Sequence, residues 1–231
     1  AAQLLRRHAQ PPPPPAPAAA PAVDAVASAL PSRIFNAVRT GGVREVAAWL
    51  AQGGSVNALH VDPERPSAML MGATSCGQEA MVRMLLQRSA SVDLQGTKDG
   101  VTALMVAAAE GYTTIVHMLL DARASINLQS SFGATALMAA TSSGHASTVQ
   151  LLLGYSANVD VQDGEGATPL MGAASDGHTP IVQLLLDAKA DGTLQDNHGE
   201  TALEVAERRK STAAAQLLRR HAQPPPPPAP A

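Results

Sequence analysis

The sequence predicts an all-α solenoid in which pairs of short helices stack in chain order. Three observations support this fold class. A threonine opens each of four similar segments at one constant interval: Thr102, Thr135, Thr168 and Thr201. A glycine recurs at the same interval, at Gly111, Gly144 and Gly177. Each glycine is followed by an apolar segment, IVHMLL, TVQLLL or IVQLLL, so each unit is predicted to be helix, glycine turn, helix.

The helices of each unit depend on their neighbours. The leucines and valines fall at helical spacing, and the threonine before each first helix can accept a hydrogen bond from an exposed backbone N–H. Isolated helices shorter than about 12 residues are marginal in water, so neither helix would be stable alone. Because aromatic residues make up 2% of the chain and 45% of residues are hydrophobic, the core is predicted to consist of Ala, Leu, Val and Met.

The repeated pattern resembles the ankyrin repeat. The shared features are a period of about 33 residues, T-A/P-L at the first helix, A-A within it, glycine at the turn and V-x-L-L-L in the second helix. Clear units begin near Thr97, Ser130, Asp163 and Asp196, and two looser units precede them. The resemblance therefore implies an ankyrin-repeat solenoid of about six repeats over residues 31–223, with short β-hairpin-like loops between helix pairs.

The first two units and the last differ from the others. Residues 33–50 and 68–86 keep the two-helix pattern around Gly41 and Gly77, and the longer connection at 59–66 puts them out of period. A terminal repeat must expose one face to water. The last unit is accordingly predicted to expose a set of charged residues: Glu204, Glu207, Arg208, Arg209 and Lys210.

Two departures from the family pattern bear on stability. The family usually has histidine at the end of T-P-L-H, where this chain has Met71, Met105, Met138, Met171 and then Glu204, so side-chain packing is expected to hold this seam. Glycine normally ends the second helix in a left-handed conformation, where this chain has Ser89, Arg123, Ser156 and Lys189. Each such replacement costs on the order of 1 kcal/mol, which predicts moderate stability.

The two ends of the chain share one sequence. Residues 1–18 and 214–231 are identical, AAQLLRRHAQPPPPPAPA. We expect residues 1–10 to be a copy of the terminal outer helix that belongs to a preceding unit, residues 11–22 to be a polyproline linker, residues 23–223 to be the ankyrin-repeat domain, and residues 224–231 to start the next polyproline linker. Residues 23–30 could add a short helix to the domain. Tandem repetition is one origin of the duplication, and a product of cloning is the other.

Composition and motifs exclude several classes of function. A net charge of -3 with 2% aromatic residues gives no nucleic-acid footprint, and no apolar run is long enough for membrane insertion. The single cysteine fits a cytoplasmic, reducing compartment, and an extracellular fibre is the alternative. His145, His178 and Cys76 lack recurring catalytic partners, and the acidic residues at 160, 163 and 165 lack the spacing of a calcium loop. We therefore expect no enzyme activity, no cofactor and no metal.

The resemblance implies binding of proteins through the hairpin tips and the groove side of the first helices. The tips are Lys98, Asp99, Ser131, Phe132, Gly164, Glu165, Asn197 and His198. The groove positions are Ser75, Cys76, Ala109, Glu110, Ser142, Ser143, Ser175, Asp176, Arg208 and Arg209. Two hypotheses follow: a unit of a longer tandem chain that self-associates into a fibre or filament, and an intracellular adaptor that binds one protein partner through its groove and tips.

Overall fold

The computed structural model describes residues 29–60, 67–95 and 99–222. Across these residues, helices follow one another in six pairs, here called repeats 1 to 6. The first, inner helices are α1 (Ser32–Thr40), α3 (Met69–Ser75), α5 (Ala103–Ala109), α7 (Ala136–Ser142), α9 (Pro169–Ser175) and α11 (Ala202–Arg208). The second, outer helices are α2 (Val43–Ala51), α4 (Glu79–Gln87), α6 (Thr113–Asp121), α8 (Ala146–Gly154), α10 (Thr179–Asp187) and α12 (Thr212–Ala222).

The helix pairs stack in chain order. Each inner helix contacts the inner helix of the next repeat, and each outer helix contacts the next outer helix. The two short strands β1 (Leu59–His60) and β2 (Ser67–Ala68) pair antiparallel between repeats 1 and 2, with Leu59 opposite Ala68. The predicted all-α solenoid is confirmed.

The core runs continuously through the stack. Its largest buried side chains recur at one position of the inner helices (Leu104, Leu137, Leu170) and one of the outer helices (Leu119, Leu152, Leu185). The inner helices meet at a row of fully buried alanines, whose small side chains allow close approach: Ala73, Ala107, Ala140, Ala173 and Ala206. Because every repeat buries its apolar face against the next one, the stability of each depends on its neighbours.

The predicted threonine caps are present. The side-chain oxygens of Thr102, Thr135 and Thr168 each accept a hydrogen bond of 3.3 Å from a backbone N–H three residues later. In repeat 6, Thr201 caps the N–H of Glu204 at 3.4 Å, and the Glu204 carboxylate accepts hydrogen bonds from the Thr201 N–H at 2.7 Å and from its hydroxyl at 2.8 Å. This reciprocal capping box starts the last inner helix.

The inter-helix turns require glycine for two reasons. At Gly111 and Gly144 the backbone is left-handed, with φ of 72° and 78°. A side chain there would also collide with the next repeat, because a Cβ atom would lie 2.6 Å from the His145 ring and 2.9 Å from the His178 ring. The recurring glycine therefore allows both the turn and the approach of the following helix pair.

The non-glycine ends of the outer helices have the predicted backbone. Ser89, Arg123, Ser156 and Lys189 have φ of 59°, 69°, 63° and 69°. This left-handed conformation brings Cβ close to the following carbonyl oxygen, so the backbone of each of these four residues is strained.

The ends of the stack differ in polarity. In repeat 6, the five charged residues predicted to face water are exposed. In repeat 1, Leu30 is buried and its N–H donates to the carbonyl of Leu59 at 2.9 Å. The predicted outer-helix copy at 1–10, the two polyproline linkers and most of the predicted short helix at 23–30 lie outside the described residues.

Candidate protein-binding surface

The predicted tip residues form one continuous row. Backbone hydrogen bonds link successive tips: Ser131 N–H donates to Asp99 O at 2.8 Å, Gly164 N–H to Phe132 O at 2.8 Å, and Asn197 N–H to Glu165 O at 2.9 Å. The tips of repeats 3 to 6 are therefore held side by side, with Asp99, Phe132, Glu165 and His198 at equivalent positions. Lys98 lies outside the described residues.

A ladder of glutamine side chains supports this row, and these glutamines were not among the residues predicted from the sequence. The Nε2 atom of Gln95 donates to Gly100 O at 2.7 Å and to Gln129 O at 3.2 Å. Gln129 repeats the arrangement toward repeat 5, and Gln162 repeats it toward Gln195 O at 2.9 Å in repeat 6. The sequence does contain a pattern that could have predicted this ladder, because a glutamine follows leucine or valine at the same place in each of these repeats.

These polar links modify the prediction made from the methionines. Met71, Met105, Met138 and Met171 are buried as expected, and the Sδ atom of Met171 also lies 3.5 Å from the Thr168 nitrogen that donates to it. At the tips, however, amide hydrogen bonds join one repeat to the next. Packing therefore holds the core of the stack, while polar geometry sets the spacing of the tips.

The predicted groove residues lie where the inner helices end. Glu110, Ser143, Asp176 and Arg209 are the C-terminal caps of α5, α7, α9 and α11, and all four are exposed. Ser142 and Arg208 precede two of these caps and are also exposed, as is Ser75 in repeat 2. Cys76, Ala109 and Ser175 are half-buried. Because the inner helices lie side by side, the caps form a second row, at the opposite end of these helices from the tips.

Phe132 is the most prominent apolar group on this surface. Its side chain is 67% exposed, although the Phe132 N–H donates to Ser130 Oγ at 3.3 Å and its carbonyl accepts from Gly164. Among the described residues, Phe132 and Tyr155 are the exposed large hydrophobic side chains. A fixed backbone with an exposed aromatic ring is a preorganised contact, because little conformational freedom remains to be lost on binding.

Repeat 4 has no formal charge. Between Arg123 and Asp160 the chain contains no Asp, Glu, Lys or Arg, and this uncharged segment, residues 124–159, includes both exposed aromatic side chains. On the groove surface, the repeats on either side carry exposed carboxylates, at Asp99 and Glu110 in repeat 3 and at Glu165 and Asp176 in repeat 5. Lys98 precedes Asp99 in the sequence, so the tip and groove positions of repeat 3 are net negative by one charge and those of repeat 5 by two. The surface therefore alternates between acidic, uncharged and acidic repeats before it reaches the arginines of repeat 6.

The electrostatics of repeat 6 differ from those of its neighbours. The carboxylate of Glu200 accepts hydrogen bonds from Nε of Arg208 at 2.9 Å, which raises the pKa of Arg208. The backbone N–H groups of Glu200 and His198 both donate to the Asp196 carboxylate. These hydrogen bonds lower the pKa of Asp196, and the one from Glu200 has the larger effect. These bonds fix the tip that carries His198 and leave Arg209 exposed as a positive charge at the end of the groove row.

A second polar cluster, also missed from the sequence, lies on the outer helices. The Tyr155 hydroxyl donates to Asp121 at 2.9 Å, and this bond raises the pKa of the phenol. The Nδ1 atom of His117 lies 2.9 Å from Oδ2 of Asp121. The His117 ring packs edge-on against the Tyr155 ring, with 5.9 Å between their centroids. The scarcity of tyrosine in the chain could have drawn attention to Tyr155.

The residues weighed for catalysis have structural contacts. His145 Nε2 lies 2.9 Å from Ala109 O, and His178 Nε2 lies 3.3 Å from Ser142 O, so each ring joins its own repeat to the preceding one. Cys76 Sγ lies 3.9 Å from Ser75 Oγ. Within the described ranges, no group of three or more His, Cys, Asp or Glu residues is placed to hold a metal ion. In those ranges no helix is long and apolar enough to cross a membrane either.

Comparison with known proteins agrees with this architecture. A family model described as ankyrin repeats (3 copies) matches residues 34–130 and 137–225. The chain belongs to the ankyrin-repeat family. Ankyrin repeats are protein–protein interaction modules and are generally non-enzymatic. No curated protein matches the chain. In this ankyrin-repeat protein, the tips and the inner-helix ends form two exposed rows on the described residues.

Proposed function

We propose that this ankyrin-repeat protein holds one protein partner in the groove between its tips and its inner-helix ends, with Phe132 as the apolar anchor. The observation that carries the proposal is the 67% exposure of Phe132 on a tip whose backbone is hydrogen-bonded to the next repeat. Aromatic residues are enriched among those that contribute most to binding. The uncharged repeat around Phe132 lowers the desolvation cost of covering it.

Isolation of partners with matched variants tests this function. The full chain, Phe132→Ala and Tyr155→Ala would each be immobilised and used to retain proteins from the organism that makes it. We expect one stoichiometric partner that is lost on Phe132→Ala, with an affinity reduced by about 10-fold or more, and kept on Tyr155→Ala. Retention of the same partner by the Phe132 variant would refute the proposed anchor.

Self-association is the second candidate, and the uncharged segment at 124–159 favours it. Two copies could meet at this segment without bringing like charges together at its centre, and each would cover an exposed aromatic ring. In a longer tandem chain with polyproline linkers, such contacts would give a fibre or filament. Sedimentation equilibrium at rising concentration tests this candidate: a monomer at every concentration would refute it, and an oligomer broken by Phe132→Ala or Tyr155→Ala would support it.

A further inference from the structure

The charge pattern of the groove surface specifies a partner more closely than the family does. Resting on the proposed function, we infer that the partner presents an extended, cationic segment with one apolar residue at Phe132 and a basic residue on each side of it. Carboxylates alone would not carry this inference. It depends on their position relative to the exposed ring and on the fixed spacing between tips.

The exposed chemical groups follow a fixed order along the stack. Repeat 3 presents Asp99 and Glu110, repeat 4 presents Phe132 with Ser142 and Ser143, and repeat 5 presents Glu165 and Asp176. All of these side chains are exposed. Lys98, next to Asp99 in the sequence, offsets one carboxylate of repeat 3, so the net charge at these positions is -1 in repeat 3 and -2 in repeat 5. A ligand covering the ring therefore meets net negative charge in both directions along the groove, and its complement is apolar at the centre and positive on either side.

The hydrogen bonds between successive tips keep the spacing of the tips constant. Direct hydrogen bonds of 2.8 Å and 2.9 Å join the tips of repeats 3 to 6, so neighbouring tips are separated by one repeat. Packed helices lie about 8 to 10 Å apart. An extended chain advances about 3.3 Å per residue. Three residues of an extended ligand therefore span about one repeat, which places its basic residues three positions before and three positions after the apolar residue.

The charges on repeat 6 give the groove surface a direction. In repeat 6 the groove row ends in a positive charge, because Arg209 is exposed at the end of α11, while Arg208 beside it is paired with Glu200. A basic residue of the ligand is disfavoured there, and an acidic one is favoured. The ligand therefore has a direction: its basic positions face repeats 3 and 5, and an acidic position, when present, faces repeat 6.

A second copy of the chain fits this surface less well. In a two-fold contact centred on repeat 4, repeat 3 of one copy would face repeat 5 of the other. In the orientation that places inner-helix caps opposite each other, Glu110 of one copy would lie opposite Asp176 of the other, and like charges brought together at an interface oppose association. The groove surface therefore favours a cationic partner over self-association.

Binding of three fluorescent peptides to the full chain tests the inference by fluorescence anisotropy. All three have a Gly/Ser background and are long enough to reach from repeat 3 to repeat 5. The first has a central Leu with Arg three positions to each side. The second has Glu in place of Arg, and the third has Ser in place of Leu. We expect the Arg-flanked peptide to bind about 10-fold or more tightly than the Glu-flanked one, with a difference that shrinks at high salt.

Variants of the chain locate the contact. Phe132→Ala should weaken binding of the Arg-flanked peptide by about 10-fold. The double change Glu165→Gln with Asp176→Asn should weaken it by about 3-fold to 10-fold. The matched control, Glu79→Gln with Asp187→Asn, removes two exposed carboxylates from outer helices and should change binding less than about 2-fold. Circular dichroism of each variant would establish that it is folded.

The outcomes separate the inference from the proposed function. Equal binding of the Arg-flanked and Glu-flanked peptides, both lost on Phe132→Ala, would refute the cationic partner and keep the groove function. Binding that ignores Phe132 would refute both. No binding of any peptide would refute the inference, and if the chain also forms an oligomer that Phe132→Ala breaks, the occupant is a second copy.

Discussion

Single buried atoms influence the stability of the stack. The hydroxyl of Thr141 is buried in α7 with no hydrogen-bond partner among the described residues, while the hydroxyl of Thr74, in α3, donates to Leu70 O at 2.8 Å. The neighbouring repeats have alanine at the position of Thr141, at Ala108 and Ala174. A buried polar group without a partner costs free energy, so Thr141 is a local weak point in the core.

Thr141→Val should therefore stabilise the protein. Valine has the same shape and lacks the unpaired hydroxyl, so we expect the free energy of unfolding to rise by about 1 kcal/mol. Thr74→Val is the matched control, because it removes a hydroxyl that is hydrogen-bonded, and it should bring no gain. Urea unfolding followed by circular dichroism measures both. Equal changes in the two variants would contradict the role assigned to the unpaired hydroxyl.

The left-handed residues at the outer-helix ends make a second residue-scale prediction. Lys189 has φ of 69°, and glycine adopts this conformation without the clash that an L side chain meets. We expect Lys189→Gly to raise the free energy of unfolding by about 1 kcal/mol. Ala188→Gly, one residue earlier at φ of -78°, should lower it by about 0.5 to 1 kcal/mol. A loss of stability in both variants would show that the backbone at Lys189 is not strained.

At the scale of the helix, the capping box of α11 gives a pH dependence. The backbone N–H and the hydroxyl of Thr201 both donate to the Glu204 carboxylate. These hydrogen bonds lower the pKa of Glu204, and the one from the backbone has the larger effect. A carboxylate whose pKa is lowered by folding stabilises the native state at neutral pH, and that contribution is lost as the pH falls through its folded pKa. The stability of the last repeat should therefore decrease on acidification.

Glu204→Gln tests this contribution. At pH 7 the urea midpoint of the variant should fall below that of the original chain by about 0.2 M. The difference should shrink as the pH falls through the folded pKa of Glu204, because the carboxyl group is then protonated in both the folded and the unfolded chain. Glu165→Gln, which removes an exposed carboxylate that caps no helix, is the control and should show no such pattern. A difference that persists unchanged at low pH would contradict the assignment.

Much of the local structure could be predicted because it depends on short sequence separations. The constant period of the sequence placed the helices, the threonine caps and the left-handed outer-helix ends. The contacts between repeats could not be predicted in the same way. The partner of His145 is Ala109 O in the preceding repeat, and the partners of Gln129 lie in two different repeats. The cluster of Tyr155 and Asp121 depends on how α8 is rotated against α6, which helical periodicity alone does not specify.

At the scale of the whole molecule, the stack is a linear series of interfaces. Among the described residues, the main contacts of each repeat are with the adjacent repeats. A lesion in the middle can therefore uncouple the two halves, whereas a lesion at an end affects mainly that end. Trp49, in α2, is the single tryptophan of the chain and reports on repeat 1. Circular dichroism reports on all helices, and the two signals together reveal whether the halves unfold as one.

Leu152→Ala should separate these two signals. Leu152 is fully buried in α8, and its truncation should cost about 2 to 5 kcal/mol. We expect the variant to unfold with different midpoints by Trp49 fluorescence and by circular dichroism. Leu218→Ala, in the terminal helix α12, is the control. It should make part of the circular dichroism signal decrease at lower denaturant concentration while the Trp49 transition stays close to its original midpoint. Coincident transitions in the Leu152 variant would contradict nearest-neighbour coupling.

The glutamine ladder also provides a spectroscopic reporter within the protein. Each side-chain amide of Gln95, Gln129 and Gln162 donates to two carbonyl oxygens, one of them in the following repeat. In nuclear magnetic resonance spectra, these amide protons should exchange with solvent more slowly than those of a surface glutamine such as Gln150. Their exchange rates would then measure, interface by interface, how often adjacent repeats separate.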